Sequence, residues 1–599
     1  MKKMNQTETS LYSLDNGEAV TSLSSFPSPR EEYLAAFEDR AALFLEYYAV
    51  EGKSLKRRTL TRGEFLALAE AGAAYLIEQG VVKGDRVVHC FSGNSPYDLV
   101  FRLAGVLAGC VPVTVNWQAD DNQRIAWKAR ETGARLVLYD RGFTDRIDEI
   151  KAGLEKTTFF AAENIETYRP AGKVDYPPLS YEDEKMIIFT SGTTNEPKGV
   201  SLPHRSFLAN RFTYEWHFEV NADTSVGLLL VNPLHHANST AFSDWAMRRP
   251  GTVVYLLQRY GTVYWKALVE AAGRGDDCLV APMVSRHIEF LESLADSGEL
   301  PVAEEKIKEA LSRTEMMIGS APVGPTTVKR VRRFSNRLPN VRFGSTETCL
   351  QVAATPMGMP AEVLMRAFEA GWSHRYNGES LVGYYIGRGH PPFTRIRAVR
   401  SLDPENKGYY QTCDTGEPGY FVTQGANIMD AYIGDDEATA EVFREGWYNG
   451  LKDIIFTLKN ESDGELDYYW VTRDSALLIR GGANYAYDQV AAELSTVLTD
   501  DFKLNPGQFK LVVVGLRVES EHEDSCCVTI ELSGEAAAGQ AELEADFKPR
   551  AWQKVAKGYR PDFVRFAGIP LNFKGAVLYP QLKQDYREWL KSQGTPSLG

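Results

Sequence analysis

Long apolar runs are missing from this chain of 599 residues. The most apolar segment, "LVFRLAGVLAGCVPVTV" at 99–115, is interrupted by Arg102 and is too short to cross a bilayer, so no membrane span is expected. It reads instead as a buried helix running into a strand. Cysteine is scarce: the seven are Cys90, Cys110, Cys278, Cys349, Cys413, Cys526 and Cys527, with no C-x-x-C pair. That excludes a disulfide scaffold and points to reduced thiols in a cytoplasmic setting. The nine histidines lack H-E-x-x-H or a similar metal spacing. Positive charge is not in excess either. The formal net charge is -14, which argues against a broad nucleic-acid surface. The first residues, "MKKMNQTETSLYSLDNGEAV", have no apolar core and do not read as a secretory signal. Internal repeats and low-complexity blocks are absent.

What is present is ordinary for a globular protein: 44% hydrophobic and 24% charged residues, in a chain too long for one core. Helical patterns such as "REEYLAAFEDRAALFLEYYA" and "GEFLALAEAGAAYLIEQG" alternate with short β-rich runs such as "DRVVHCF" and "ARLVLYD". That alternation predicts an α/β architecture with largely parallel sheets. Residues 1–30, ending in "SSFPSPR", read as a loose N-terminal arm. After "YYWVTRDSALLIRGG" the pattern restarts with helix "DQVAAELSTVL", strand "FKLVVVGL", an acidic turn "ESEHEDS" and strand "CCVTIEL". The expected division is therefore 31–473 for a large domain and 474–599 for a small α+β domain.

The most informative stretch is "MIIFTSGTTNEPKGVSL" at 186–202. An apolar strand stops, and Thr190, Ser191, Gly192, Thr193 and Thr194 follow, then Pro197, Lys198 and Gly199. A loop at the C-terminal end of a strand is where open α/β sheets bind ligands. Glycines admit a close ligand, successive N–H groups cradle an anion, and hydroxyls and a lysine add donors. A polyphosphate suits that set. A Walker A loop does not fit, because Pro precedes Lys198 and Gly follows it. A Ser/Thr-rich surface turn is the plainer reading of such a run.

"TSGTTNEPKG" resembles the phosphate loop of the adenylate-forming superfamily: acyl-CoA synthetases, firefly luciferase and peptide-synthetase adenylation domains. Further segments follow in that family's order. "VNPLHHANST" resembles the P-L-x-H segment beside the acyl pocket and puts His236 at the gate. "IGSAP" resembles the turn packed on adenine, with Gly319, Ser320, Ala321 and Pro322. "VRFGSTET" resembles Y-G-x-T-E, with Phe343 in place of Tyr, Gly344 next, Thr346 on a phosphate oxygen and Glu347 on Mg²⁺. A lone Thr-Glu pair would otherwise mark only a helix start. The run 416–453 resembles the approach to the ribose-binding aspartate. Asp453 takes that place, although "YNGLKD" replaces T-G-D and is one residue longer. Arg473 falls on the second ribose ligand, Ser475 on the hinge Asp or Lys, and Tyr487 and Gln489 on a later Pro and Glu. In "IPLNFKGAVLYPQLKQ" the family lysine aligns with Ala576, and Lys574, two residues back on the same face of an extended segment, is the candidate replacement.

The resemblance covers about residues 60 to 583 and implies a fold of a large N-terminal domain of α/β subdomains and a small mobile C-terminal one. It implies a reaction in which a carboxylate attacks the α-phosphate of MgATP, giving acyl-AMP and pyrophosphate, followed by transfer to a thiol. Free coenzyme A is the expected acceptor, with a carrier protein or an amine as alternatives. A monomer or homodimer acting on a small-molecule carboxylic acid is expected. The departures near 450, 475, 487 and 576 leave open a catalytically impaired relative that binds a nucleotide or acyl-adenylate. Segment 235–248, "HHANSTAFSDWAMR", is expected at the acyl pocket. His235, Asn238 and Ser239 there point to a polar acid rather than a plain fatty acid, while Trp245 either shortens the pocket or packs in the core.

Overall fold

The computed structural model describes residues 19–51, 54–172, 174–190, 197–320, 322–376, 379–381, 383–473, 477–480, 483–521, 523–570, 577 and 579–595. It is a mixed α/β structure. Local signals in the sequence start and stop its helices. Thr61 and Glu64 form a reciprocal capping box at helix Arg62–Glu78. Ser95 caps helix Pro96–Ala108, with Pro96 at its first position. Gly109 ends that helix at φ 74°, where a side chain would be strained. Strand Val111–Thr114 follows at once, so segment 99–115 is the helix-to-strand unit read from its sequence.

Two sheets carry the large part of the molecule. One holds strands Arg86–Cys90, Val111–Thr114, Leu136–Tyr139, Thr158–Ala161 and Glu184–Thr190, all parallel, then Lys198–Pro203 and Ala431–Tyr432 antiparallel at its edge. The other runs in parallel through Leu43–Glu51, Thr252–Leu257, Val226–Leu230, Cys278–Met283, Thr314–Ile318 and Asn340–Phe343. It then continues through antiparallel strands, past Leu466–Arg473 and Asp453–Lys459 to Gly419–Gly425, Trp447–Tyr448 and Phe443–Arg444. A separate three-stranded sheet, Phe509–Leu516, Ser525–Leu532 and Phe563–Phe566, packs with helices Tyr487–Asp500, Gln540–Lys554 and Tyr579–Ser592. The buried members of its core run only from Leu478 to Leu590.

Two expectations are corrected here. The segment "REEYLAAFEDRAALFLEYYA" is not helical throughout. Helix Pro29–Ala36 is followed by strand Leu43–Glu51, which pairs on both sides. Aromatic and branched side chains suit a half-buried pleated surface, and sheet partners outweigh a short helical period. The N-terminal arm is also not loose as far as residue 30. Val20 is buried against Ala209, Phe393 and Ala426, and Ser28 caps the helix that begins at Pro29.

That first helix anchors a buried ionic network. Arg248 Nη1 lies 2.5 Å from Glu32 Oε2, and its Nε lies 2.8 Å from Asp244 Oδ2. Lys185 Nζ is 2.7 Å from Asp244 Oδ1, and burial pushes this lysine down to about 8. Removing one partner would strand a buried charge, so the network fixes helix Ala237–Arg248 against strand Glu184–Thr190. Among the described residues no helix is long and apolar enough to cross a membrane.

Candidate active site

A cavity of about 860 Å³ opens where the two large sheets and the small unit meet, a size that suits a nucleotide-like ligand. Its floor comes from the ends of strands. Thr190 ends Glu184–Thr190 and Lys198 begins Lys198–Pro203, and the two are partners across this hairpin. Both line the cavity. Lys198 Nζ sits 4.7 Å over the Tyr432 ring and 4.0 Å from Asp435 Oδ2. Residues Ser191, Gly192, Thr193 and Thr194 of the loop between them lie outside the described residues, as do Ala321, Ser475 and Lys574.

Strand Asn340–Phe343 delivers the next group. Phe343, Gly344, Ser345, Thr346 and Glu347 all face the cavity. No helix starts at Thr346–Glu347; the chain turns sharply, with Cys349 at φ 45° and Leu350 at φ 82°. A bulky residue in that region is strained and is held only by its surroundings. Here the Leu350 N–H donates to the Ser345 carbonyl at 2.9 Å, and Ser345 N–H donates to Thr348 Oγ1 at 2.9 Å. Tyr432 Oη donates to Glu347 Oε1 at 3.2 Å, and the Met429 N–H donates to the Glu347 carbonyl at 2.7 Å. Burial, then the Glu347 charge, holds the Tyr432 phenol well above its ordinary value, so it stays a donor.

His236 caps helix Ala237–Arg248 by its backbone position and lines the cavity. Burial pushes its imidazole down to about 4, so it is neutral at physiological pH. Ser320 and Pro322 also line the cavity; Gly319 does not, and packs under Arg342. Asp453 is fully buried, one residue beyond the lining residues Asn449, Gly450, Leu451 and Lys452. It stands directly opposite Arg473 in the register of neighbouring strands.

In the segment expected at the acyl pocket, Asn238 lines the cavity, whereas Ser239 donates to the Asn232 carbonyl at 2.7 Å inside the fold. His235 packs edge-on to Trp117 at 6.0 Å. Trp245 stacks on Phe218 at 5.7 Å, is 1% exposed and belongs to the core. Several lining residues were not singled out from the sequence: Asp120 and Lys128, which pair at 2.5 Å, then Arg342 and Tyr432, and Tyr485 and Tyr559 from the small unit. Arg342 stands directly before Phe343 in the segment that resembles Y-G-x-T-E, and that adjacency was the signal that could have marked it.

The family profile described as AMP-binding enzyme matches residues 31–433. This chain belongs to the AMP-binding enzyme family. FadD13, a long-chain-fatty-acid–CoA ligase of Mycobacterium tuberculosis, is 23% identical to this AMP-binding enzyme over 534 residues, covering 88% of this chain and 93% of its own. Among solved structures, a double mutant of o-succinylbenzoate CoA synthetase (MenE) from Bacillus subtilis, bound to its product analogue, superposes with a TM-score of 0.70. It is 19% identical and covers 92% of this chain and 97% of its own. ATP-bound MatB from Rhodopseudomonas palustris gives 0.59 at 20% identity, with 94% and 99% covered. These structures share the fold of a large N-terminal and a small C-terminal domain.

Proposed function

We propose that this protein is an AMP-forming acid–thiol ligase. A carboxylate oxygen attacks the α-phosphorus of ATP, pyrophosphate leaves, and the acyl group then passes from AMP to the sulfur of coenzyme A. The observation that carries this reading is the convergence of Thr190, Lys198, Thr346, Glu347 and His236 on one cavity, with the small unit's Tyr485 and Tyr559 closing it. Positioning and charge stabilisation supply most of the acceleration in phosphoryl chemistry, and this set offers both.

Each group has a role in this reading. Thr190 to Thr194 and Lys198 hold the β- and γ-phosphates. Thr346 donates to a phosphate oxygen. Ser320 to Pro322, Phe343 and Gly344 flank the adenine, and Asp453 and Arg473 hold the ribose. His236, uncharged, gates the acyl pocket without repelling or trapping a carboxylate. Lys574 supplies the charge that the aligned Ala576 lacks. Among the described residues no three His, Cys, Asp or Glu side chains stand together to hold a metal. A single carboxylate, Glu347, fits an Mg²⁺ that arrives on the nucleotide's phosphates and keeps most of its waters. Bound there, the ion would neutralise developing phosphate charge.

The self-contained core of 478–590 supports a division into 31–473 and 474–599, with the second part moving between the two steps. The cysteines are all free, which fits a reducing cytoplasm, and the enzyme works as a monomer or homodimer.

Acid-dependent ATP–pyrophosphate exchange across a panel of carboxylic acids tests the first step, and CoA-dependent thioester detected by mass spectrometry tests the second. Exchange with at least one acid is expected. ATP binding without exchange for any acid would instead identify a nucleotide-binding relative that has lost catalysis. Transfer to an amine rather than to CoA would reassign the acceptor alone. Replacing Thr193 and Thr194 together by Ala should weaken ATP binding or exchange more than several-fold, since each charge-assisted hydrogen bond is worth about 1.5–3 kcal/mol.

A further inference from the structure

Most buried arginines of this protein have obvious partners. Arg102 lies 2.9 Å from Asp98, Arg248 bridges Glu32 and Asp244, and Arg62 donates to three carbonyls. Arg342 differs. It is 5% exposed and lines the cavity, yet its Nε and Nη2 are buried without a hydrogen-bond partner. Its nearest neighbours are apolar or neutral. The guanidinium carbon is 5.8 Å from the centre of the Phe242 ring. A Cβ on Gly319 would come within 3.0 Å of Arg342 Cγ and 3.3 Å of Cζ, so the glycine makes room for this side chain. Burial lowers its pKa to about 10, with only the Tyr214 phenol opposing, and it stays protonated at neutral pH.

A buried guanidinium without a counter-charge is costly; in folded proteins such charges are paired or find a ligand. The position says which ligand. Phe242 lies on helix Ala237–Arg248 one turn after Asn238, so the two share a face. Asn238 lines the cavity, so this face of the helix borders the same space as Arg342. A guanidinium fork is the donor set that recognises a carboxylate.

We propose that Arg342 binds a second carboxylate on the substrate, so that the enzyme activates one end of a dicarboxylic acid while this arginine holds the other. The inference rests on the ligase activity proposed above and names its substrate class. Arg342 precedes Thr346 by four residues, which an extended backbone spans in at most about 13 Å. The two carboxyl groups are therefore joined by a short linker. A simple alkyl acid would leave the guanidinium unpaired and bury it more deeply.

The test compares dicarboxylates of about four to ten carbons with monocarboxylates of the same chain length in ATP–pyrophosphate exchange. Wild-type protein should prefer its best diacid over the matched monoacid by about 30-fold or more in kcat/KM, the worth of one or two charge-assisted hydrogen bonds. Arg342→Met should cut that ratio by about 10-fold or more, and Arg342→Lys should retain part of it. Without ligand, Arg342→Met should melt no lower than wild type, because it removes an unpaired buried charge; an arginine that merely braced the fold would give a lower melting point. Equal turnover of diacids and monoacids by wild type overturns the inference while leaving the ligase reading intact, as does an unchanged ratio in Arg342→Met. Should that variant not fold, the wild-type preference and Arg342→Lys decide. Should no acid drive exchange, the ligase reading fails. The arginine is then read from thermal shift: stabilisation of wild type by diacids and not by monoacids supports it, and equal shifts overturn it.

Discussion

Gly344 has no space for a side chain: a Cβ there would stand 1.4 Å from the Leu350 carbonyl oxygen. Backbone, not a movable side chain, occupies that space, so even one methyl group must displace the turn that presents Thr346 and Glu347. Gly344→Ala is expected to lower the exchange rate by about 100-fold or more, near 2.7 kcal/mol of barrier, while the protein still folds. Normal exchange in a folded variant would show that the turn need not be held. Glu347 tests charge apart from shape. Glu347→Gln keeps an acceptor for the Tyr432 hydroxyl but loses the carboxylate charge. Its activity should fall steeply at low Mg²⁺ and recover in part as Mg²⁺ is raised. Wild-type Mg²⁺ dependence would leave Glu347 a structural residue.

The acidic turn after strand Phe509–Leu516 docks on the large part of the molecule. Glu521 accepts from the backbone N–H of Thr326 at 3.1 Å and from its hydroxyl, at the first turn of helix Pro325–Phe334. That helix has no side-chain cap of its own at Gly324, so a carboxylate from the small unit meets its unsatisfied donors and the positive end of its dipole. Arg517 donates to Tyr384 Oη at 2.8 Å, and Arg286 lies 3.2 Å from Glu523. These contacts favour this one placement of the small unit, in which Tyr485 and Tyr559 face the cavity. The double variant Glu521→Ala/Arg517→Ala should therefore change the ratio of thioester formation to pyrophosphate exchange by about 3-fold or more, because the two steps need different placements. Equal loss in both steps would show that the contacts serve general stability; no loss in either would show that they do not hold the arrangement.

Stability of the whole molecule should depend on pH through its enclosed histidines. Burial holds His217 and His236 down to about 4 and His287 to about 3, against 6.5 for an ordinary imidazole. Folded pKa values below the unfolded one mean stability that is present above pH 6.5 and lost as pH falls toward 4, as the unfolded chain takes up protons first. Of these three rings His217 and His287 are the buried ones, and they stand for roughly 3 and roughly 5 kcal/mol once the loss is complete. Asp98, which burial raises but Arg102 and His89 more than offset and hold at about 2, adds a second loss below the ordinary carboxylate range. Asp140, Asp276, Asp467 and Asp524, raised by burial, act in the opposite direction. The melting temperature should fall between pH 7 and 5, before ordinary carboxylates titrate. A flat profile down to pH 4 would mean that these rings are hydrated in solution.

The sequence by itself determined what short-range chemistry can encode. Strand–loop–strand punctuation at 186–202, capping at Thr61 and Ser95, and the order of the family segments are local patterns that a reader can follow along the chain. They located Thr190, Lys198, Thr346 and Glu347, and the structure places all four on one cavity. Long-range pairing was not legible. Residues 43–49 read as helix because a short amphipathic period fits both forms, and only partners at 54–61 and 252–257 made them a strand. Val20 carried no local signal for burial, since its contacts lie near residues 209, 393 and 426. Arg342 was not singled out, because nothing in its local sequence says whether its charge is paired. Whether a charge is paired depends on which groups the tertiary fold brings to within about 4 Å, where Coulomb energies are decisive in a buried site. In this protein the fold surrounds that guanidinium with Phe242, Gly319 and an open cavity, and so leaves its counter-charge to the substrate.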